Sequence, residues 1–216
     1  MITMKKVNRV LFPVLALIAV FLIFNRPKTF SKEERTIIRQ SDSVMYVTVW
    51  PEDSVVLRTP CTDLTKSELK SRDLRTLTAK MLRTLRSPQH DGVGIAAPQV
   101  GVSKRIIWVQ RLDKEGGPFE CYLNPHVDSL YGQVGKGPEG CLSVPPMRGL
   151  VPRYTDVIVS YVHPETLEAR RDTVTGYTAV IFQHECDHLD GIPYIDRAER
   201  IALEPVPPTT TFSPVA

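Results

Sequence analysis

His184-Glu185-Cys186-Asp187-His188 is the stretch of this chain that leaves the fold least freedom. Two histidines four residues apart share a face about 6 Å apart on a helix but about 13 Å apart on a strand, so the segment has to be helical if both rings are to meet one ion. Val180 and Ile181 precede them on that face and mark it as buried. The chain from Tyr177 to Leu189 therefore reads as a helix stopped by Gly191. Buried imidazoles without partners are costly, and a shared metal ion removes the cost. Glu185, beside the first ligand, is then within reach of a water at that ion.

A catalytic metal site needs a third protein ligand and an open position. No histidine follows His188, and Glu199 and Glu204 stand where the chain turns into its tail. The other donor available is a thiolate. Cys141 lies in the Gly- and Pro-rich stretch from Gly137 to Pro146, which reads as a loop between strands. A lone cysteine is more often a small buried hydrophobe, so these residues alone leave the third ligand open. Cys186 falls about 200° around the helix from His184 and faces away from the site. Cys61 and Cys121 read as core residues; the 4 cysteines are too few and too scattered to read as a disulfide framework, and none forms a C-x-x-C pair. His90, His126 and His163 read as surface or turn residues.

The 216 residues are 42% hydrophobic and 24% charged, which fits one globular domain with extensions and excludes a many-pass membrane chain. The net charge of +3 has a local origin: Lys5, Lys6, Arg9, Arg26 and Lys28 fall in the first thirty residues, where there is no acid. Of the 27 bases, 22 are left to balance 24 acids in the body, so no nucleic-acid partner is expected. The first three bases precede an uncharged run from Val10 to Phe24 that no small-x-small site follows. Residues 1–30 thus read as an uncleaved signal-anchor-like segment that would attach the protein to a membrane through residues 10–24. Fifteen helical residues span only about 22 Å against about 30 Å of hydrocarbon, so a crossing needs thinning or snorkelling. A buried core helix, or translation starting at Met45 and leaving a cytoplasmic protein, is the alternative.

Polar residues 31–45 read as a linker, 46–204 as the catalytic domain, and the uncharged Pro/Thr-rich residues 205–216 as a disordered tail. Within the domain, Tyr46 to Trp50 alternates as a strand. Thr65 and Glu68 form a capping-box pattern ahead of Leu74, Leu77, Met81, Leu82 and Leu85, which predicts one helix over 65–86. Strands are expected at 105–110, 120–123, 127–134, 157–162 and 169–174. The class is α+β, with antiparallel strands around a central metal-binding helix.

Three segments settle the reading: Gly92-Val93-Gly94-Ile95-Ala96-Ala97-Pro98-Gln99, Glu139-Gly140-Cys141-Leu142-Ser143 and Gln183-His184-Glu185-Cys186-Asp187-His188. Together, and in this order, they resemble the three signature motifs of the peptide deformylase family, and the similarity runs from about Val47 to Arg197. The resemblance implies Cys141, His184 and His188 as metal ligands and Glu185 as general base and acid. It implies that Gln99 and the N–H of Leu142 steady the substrate oxygen. It further implies a cleft lined by Val93, Gly94, Glu139, Gly140, Arg148, Val180 and Ile181, with Arg153 structural and Glu139 and Asp187 supporting the ligands. One divalent ion is expected, Fe2+ with Zn2+, Ni2+ or Co2+ as substitutes. The implied reaction is hydrolysis of the N-formyl group from N-formylmethionine on peptides or nascent chains, releasing formate. Two features depart from the family pattern, the apolar amino-terminal segment and the short carboxyl end after Arg200.

Overall fold

The computed structural model describes residues 29–90, 92–203 and 213–214. The apolar run 10–24 and most of the tail from 205 lie outside the described residues. Among the described residues no helix is long and apolar enough to cross a membrane.

Helix α1 (Lys32–Ile38) opens the described chain, with Ser31 and Glu34 forming a reciprocal cap at its start. Residues 31–45 are thus not a free linker. Polar residues face out, but Phe30, Ile38 and Met45 are buried and dock the segment onto the domain. A bidentate Arg39–Asp73 pair adds to the docking. Tyr46 to Trp50 is extended without joining the sheet. It is held by Thr48 N–H to Gln99 O and Trp50 N–H to Ser143 O, contacts with two of the motif segments that alternation could not reveal.

After the short helix α2 (Ser54–Leu57), the single helix expected over 65–86 is two: α3 (Lys66–Leu69) and α4 (Arg72–Leu85). Thr65 and Glu68 make the expected capping box, but Ser71 caps a second start by accepting from Leu74 N–H. A serine at that point offers the backbone a cap instead of another turn. Next come β1 (Gly94–Ala96), a 3-10 turn (Ala97–Val100), β2 (Ile106–Gln110), β3 (Phe119–Gly140), β4 (Arg148–Val162) and β5 (Ala169–Thr175). Helix α5 (Gly176–Leu189) and a 3-10 turn (Tyr194–Asp196) follow, and short β6 (Arg200–Ala202) and β7 (Ser213–Pro214) complete the described elements.

The sheet is antiparallel in the order β1-β2-β3-β4-β5, with β6 on β4 and β7 on β3. The two strands expected between 120 and 134 are one long strand. Irregular pairing between Leu123 and His126, Val127 and Ser129, and Tyr131 and Val134 lets it bend without breaking. Gly137 to Gly140, expected in a loop, pair with Val151 to Arg148, so the loop shrinks to the tip of the β3–β4 hairpin. That contraction places Cys141 at the first residue after a strand, where its position is fixed.

The sheet lies between two helices because β2 alternates. Ile106 joins Leu74, Leu77, Met81 and Leu85 of α4 in one core. Ile107 and Val109 join Ala179, Phe182, Cys186 and Leu189 of α5 in another. Helix α5 is buried almost along its length, as a helix that carries a site through the centre of a domain must be.

Candidate active site

The site forms where α5, the hairpin tip and β1 meet. His184 and His188 stand one turn apart with ring centroids 5.0 Å from each other. Cys141 Sγ lies 3.1 Å from His188 Nε2. The ligand atoms of Cys141, His184 and His188 lie within 4.8 Å of one another, a group that could hold one metal ion.

Hydrogen bonds brace two of the three ligands, His184 and Cys141, whereas His188 Nδ1 is buried without a partner. Glu139 accepts from His184 Nδ1 at 2.8 Å, which leaves Nε2 for the site. Tyr194 stacks on His184 with centroids 5.9 Å apart, and its hydroxyl donates to Met147 O at the hairpin tip. Arg153 donates to both oxygens of Glu139 and to Asp187. Asp187 also accepts from Arg197, so one buried guanidinium joins the strand that carries Cys141 to the helix that carries the histidines. Cys141 Sγ accepts from Gln99 Nε2 at 3.3 Å and from Ser143 N–H at 3.4 Å. Gln99 is oriented at its other end, where Ala96 N–H donates to Oε1 at 2.9 Å.

The electrostatics follow from this packing. Burial acts to raise the Cys141 thiol, but the imidazoles of His188 and His184 beside it prevail and bring it down to about 5. At neutral pH the sulfur is a thiolate, the form that binds metals. Burial also opposes charge on Glu139, yet His184 and Arg153 hold its carboxyl at about 2. Glu185 is different. Burial dominates and raises its carboxyl to about 7, where it accepts and returns protons near neutrality. Glu185 Oε2 is buried without a hydrogen-bond partner, which a substrate or water in the cleft would satisfy.

Glu185 reaches this position across Gly94. A Cβ at residue 94 would stand 2.9 Å from Glu185 Cγ and Cδ and would collide with Oε1. The glycine is therefore required for close approach of the carboxylate to the β1 backbone.

A cleft of about 350 Å³ opens over these groups. Val93, Gly94, Gln99, Glu139, Gly140, Cys141, Leu142, Arg148, Val180, Ile181, His184 and Glu185 all line it, so every expected site residue except His188 faces it directly. His188 is 1% exposed and lies behind the other ligands. Cys186 packs in the α5 core, away from the site, as its helical angle requires. His90, read as a turn residue, lines the cleft at the end of α4, with Nδ1 against Thr84 O and Ser87 Oγ. Tyr177 and the tip residues Pro145, Pro146 and Met147 also line it. Tyr177 was legible in principle, because it stands three residues before Val180 and seven before His184 on one helical face.

One thiolate and two imidazoles leave room at a divalent ion for water and substrate, with a carboxylate of raised affinity for protons alongside; this is the chemistry of a metal-dependent hydrolase. The family model described as polypeptide deformylase matches residues 44–204. The chain belongs to that family. A peptide deformylase of Leptospira biflexa is 36% identical over 155 residues, covering 68% of this chain and 85% of that protein. Among solved structures, the Met-Ala-Ser-bound class I type b peptide deformylase of Acinetobacter baumannii is 36% identical with a TM-score of 0.64, covering 71% of this chain and 98% of the other. The peptide deformylase of Thermotoga maritima is 32% identical with a TM-score of 0.62, covering 72% and 99%. This chain is accordingly a metal-dependent hydrolase that removes the formyl group from N-formylmethionine at the amino terminus of peptides and new proteins.

Proposed function

We propose that Cys141, His184 and His188 hold one divalent ion, that Glu185 is general base and then acid, and that Gln99 and the Leu142 N–H receive the charge that develops on the formyl oxygen. The observation that carries this reading is the convergence of the three ligand atoms within 4.8 Å, beside a buried Glu185 oxygen with no partner. A thiolate with two imidazoles fits iron(II), zinc, nickel or cobalt, and we take Fe2+ as the native ion. Such an ion supplies Lewis acidity and makes water nucleophilic at neutral pH. Glu185, raised to about 7, takes the proton of that water and returns it to the departing amine. Gln99, fixed through Oε1, directs its amide N–H bonds into the site. Oxyanion donors of this kind contribute about 3 kcal/mol each.

The substrate reading uses the remaining groups. Strand β1 pairs with β2 along one edge, where Val93 O also accepts from Gln110 N–H, and its other edge at Gly94 lies free on the cleft, where an extended peptide adds as a strand beside the Val93 side chain. Gly140 forms the opposite wall with Arg148 against it, and Val180 and Ile181 give an apolar floor for the methionine side chain. Glu139 acts through His184 by fixing its ring. The catalytic unit is residues 46–204 with the 30–45 arm packed on it, and a Pro/Thr-rich tail follows from 205. Membrane attachment through residues 10–24, with the domain on a short tether, is proposed from the composition of that run alone; a cytoplasmic protein is the competing arrangement.

Anaerobic purification with metal analysis, followed by formate release from formyl-Met-Ala-Ser beside its acetyl counterpart, tests this reading. The expected result is about one iron per chain and formyl over acetyl selectivity of about a hundred-fold or more. Cleavage of internal bonds in unformylated peptides, with no formate, would replace the reading with a metalloprotease.

A further inference from the structure

Helices α3 and α4 carry more positive charge than the body's near-neutral balance suggests. Lys66, Lys70, Arg72, Arg75, Arg83 and Arg86 are all exposed. The two acids of these helices are already occupied: Glu68 is fully buried against Lys104 at 2.9 Å, and Asp73 is held by Arg39. None of the six bases has an acidic partner among the described residues. At 100° per residue, Arg72, Arg75, Arg83 and Arg86 fall within one face of α4, opposite Leu74, Leu77, Met81 and Leu85. They form a stripe about 21 Å long.

The amino-terminal arm joins the domain at one end of this stripe. Phe30 is buried with Lys104 Nζ 6.0 Å above its ring, and Lys104 is the partner of Glu68 in α3. The chain therefore reaches the domain beside Lys66 and Lys70, and Arg39 then ties it to the first turn of α4. Phe30 lies six chain steps, with five residues between, from Phe24, the last residue of the apolar run. Fully extended, these steps span at most about 21 Å.

We infer that the basic face of α3 and α4 rests on anionic lipid headgroups and orients the catalytic domain on the membrane that the apolar run enters. The inference depends on the anchor reading of residues 10–24. Charge complementarity and the short tether carry it: a domain held within about 21 Å of a bilayer by its α3 corner brings this face, and not the β5 edge, close to the surface. Each base near an anionic leaflet strengthens partitioning about five-fold, so the stripe fixes orientation even where the apolar run alone fixes attachment. The cleft begins at His90 and Gly92, just past the last turn of α4, so the same contact sets the height of the active site above the bilayer.

The test is arginine footprinting of the full chain with a membrane-impermeant dicarbonyl reagent and mass spectrometry. The chain is placed in vesicles of phosphatidylcholine alone and in vesicles containing about one third phosphatidylglycerol. The expected result is protection of Arg72, Arg75, Arg83 and Arg86 by about five-fold or more in the anionic vesicles only, reversed by high salt. Arg170 and Arg171, exposed on the far edge strand β5, should react equally in both. Unchanged reactivity of the four α4 arginines in a chain that co-sediments with both vesicles would overturn the inference and leave the anchor. A chain that sediments with neither would overturn the anchor reading first. Protection by RNA and not by anionic lipid would assign the face to a nucleic acid instead. Formate release in each preparation reports that the domain is folded.

Discussion

Replacing Gly94 with alanine should cripple catalysis while sparing the fold and the metal. The new Cβ would stand 2.9 Å from both Glu185 Cγ and Cδ, and β1 cannot retreat because Gly94 and Ala96 pair with Val109 and Ile107 of β2. Ordinary van der Waals contact begins at 3.4 Å and Oε1 lies closer to the new Cβ than Cγ and Cδ do, so the carboxylate end of Glu185 has to move by about 1 Å or rotate away. Displacement of a proton-transfer group on that scale costs up to about a hundred-fold in rate, or about 2.7 kcal/mol of transition-state stabilisation. The ligands should stay in place, because the three atoms nearest the new Cβ all belong to Glu185. Steady-state formate release should therefore show kcat down about 30- to 100-fold with metal content unchanged. In a Glu185→Gln background the same substitution should cost almost nothing more, since both act on one group. A Gly94→Ala enzyme with kcat within about three-fold of the parent, or a penalty that adds fully to that of Glu185→Gln, would refute the reasoning.

Three other outcomes follow from the structure. Arg153→Met leaves Glu139 and Asp187 buried without their shared guanidinium, and should destabilise by about 3–5 kcal/mol in urea melts. Gly191 has φ +73° and a Cβ there would lie 2.8 Å from the carbonyl carbon of Arg58, so Gly191→Ala should lower the melting temperature by an amount equivalent to about 1–3 kcal/mol. The acid limb of stability should depend on Arg111. Its guanidinium holds the Asp113 carboxyl below the ordinary range against burial, and Lys114 and the Tyr122 hydroxyl lower Glu120 although burial acts upward. Carboxyls depressed in the folded state take up protons on unfolding, so their contribution is complete above the unfolded pKa near 4 and is lost as pH falls below it. The stability gap between the parent and Arg111→Met should accordingly be constant above about pH 5 and narrow from there down to about pH 2, as measured by denaturant titration; a gap that stays constant through that range would contradict the linkage.

Much of the site was legible because its chemistry is local in sequence. The His184–His188 pair sits on a helix whose period is set by four residues, and the Thr65–Glu68 cap is likewise a short-range pattern. What was missed depended on partners distant in the chain. Gly137 to Gly140 look like a loop because Gly137 and Pro138 disfavour a strand, but pairing with residues 148–151 outweighs that preference. Tyr46 to Trp50 has strand alternation and no sheet partner, because its hydrogen bonds go to Gln99 and Ser143. Residues 31–45 have the polarity of a linker, and only Phe30, Ile38 and Met45 reveal the docked face. The placement of His90 on the cleft depends on the direction in which the chain leaves α4, which no periodicity encodes.

The central claim is that Cys141, His184 and His188 hold the ion while Glu185 works beside it without holding it. Metal content and formate release, measured on the same anaerobic preparations of the parent, Cys141→Ala and Glu185→Gln proteins, test that division most directly. The account predicts that Glu185→Gln keeps about one ion per chain and loses formate release by at least about a hundred-fold, whereas Cys141→Ala loses both. Full metal occupancy in Cys141→Ala, or near-parental turnover in Glu185→Gln, would contradict it.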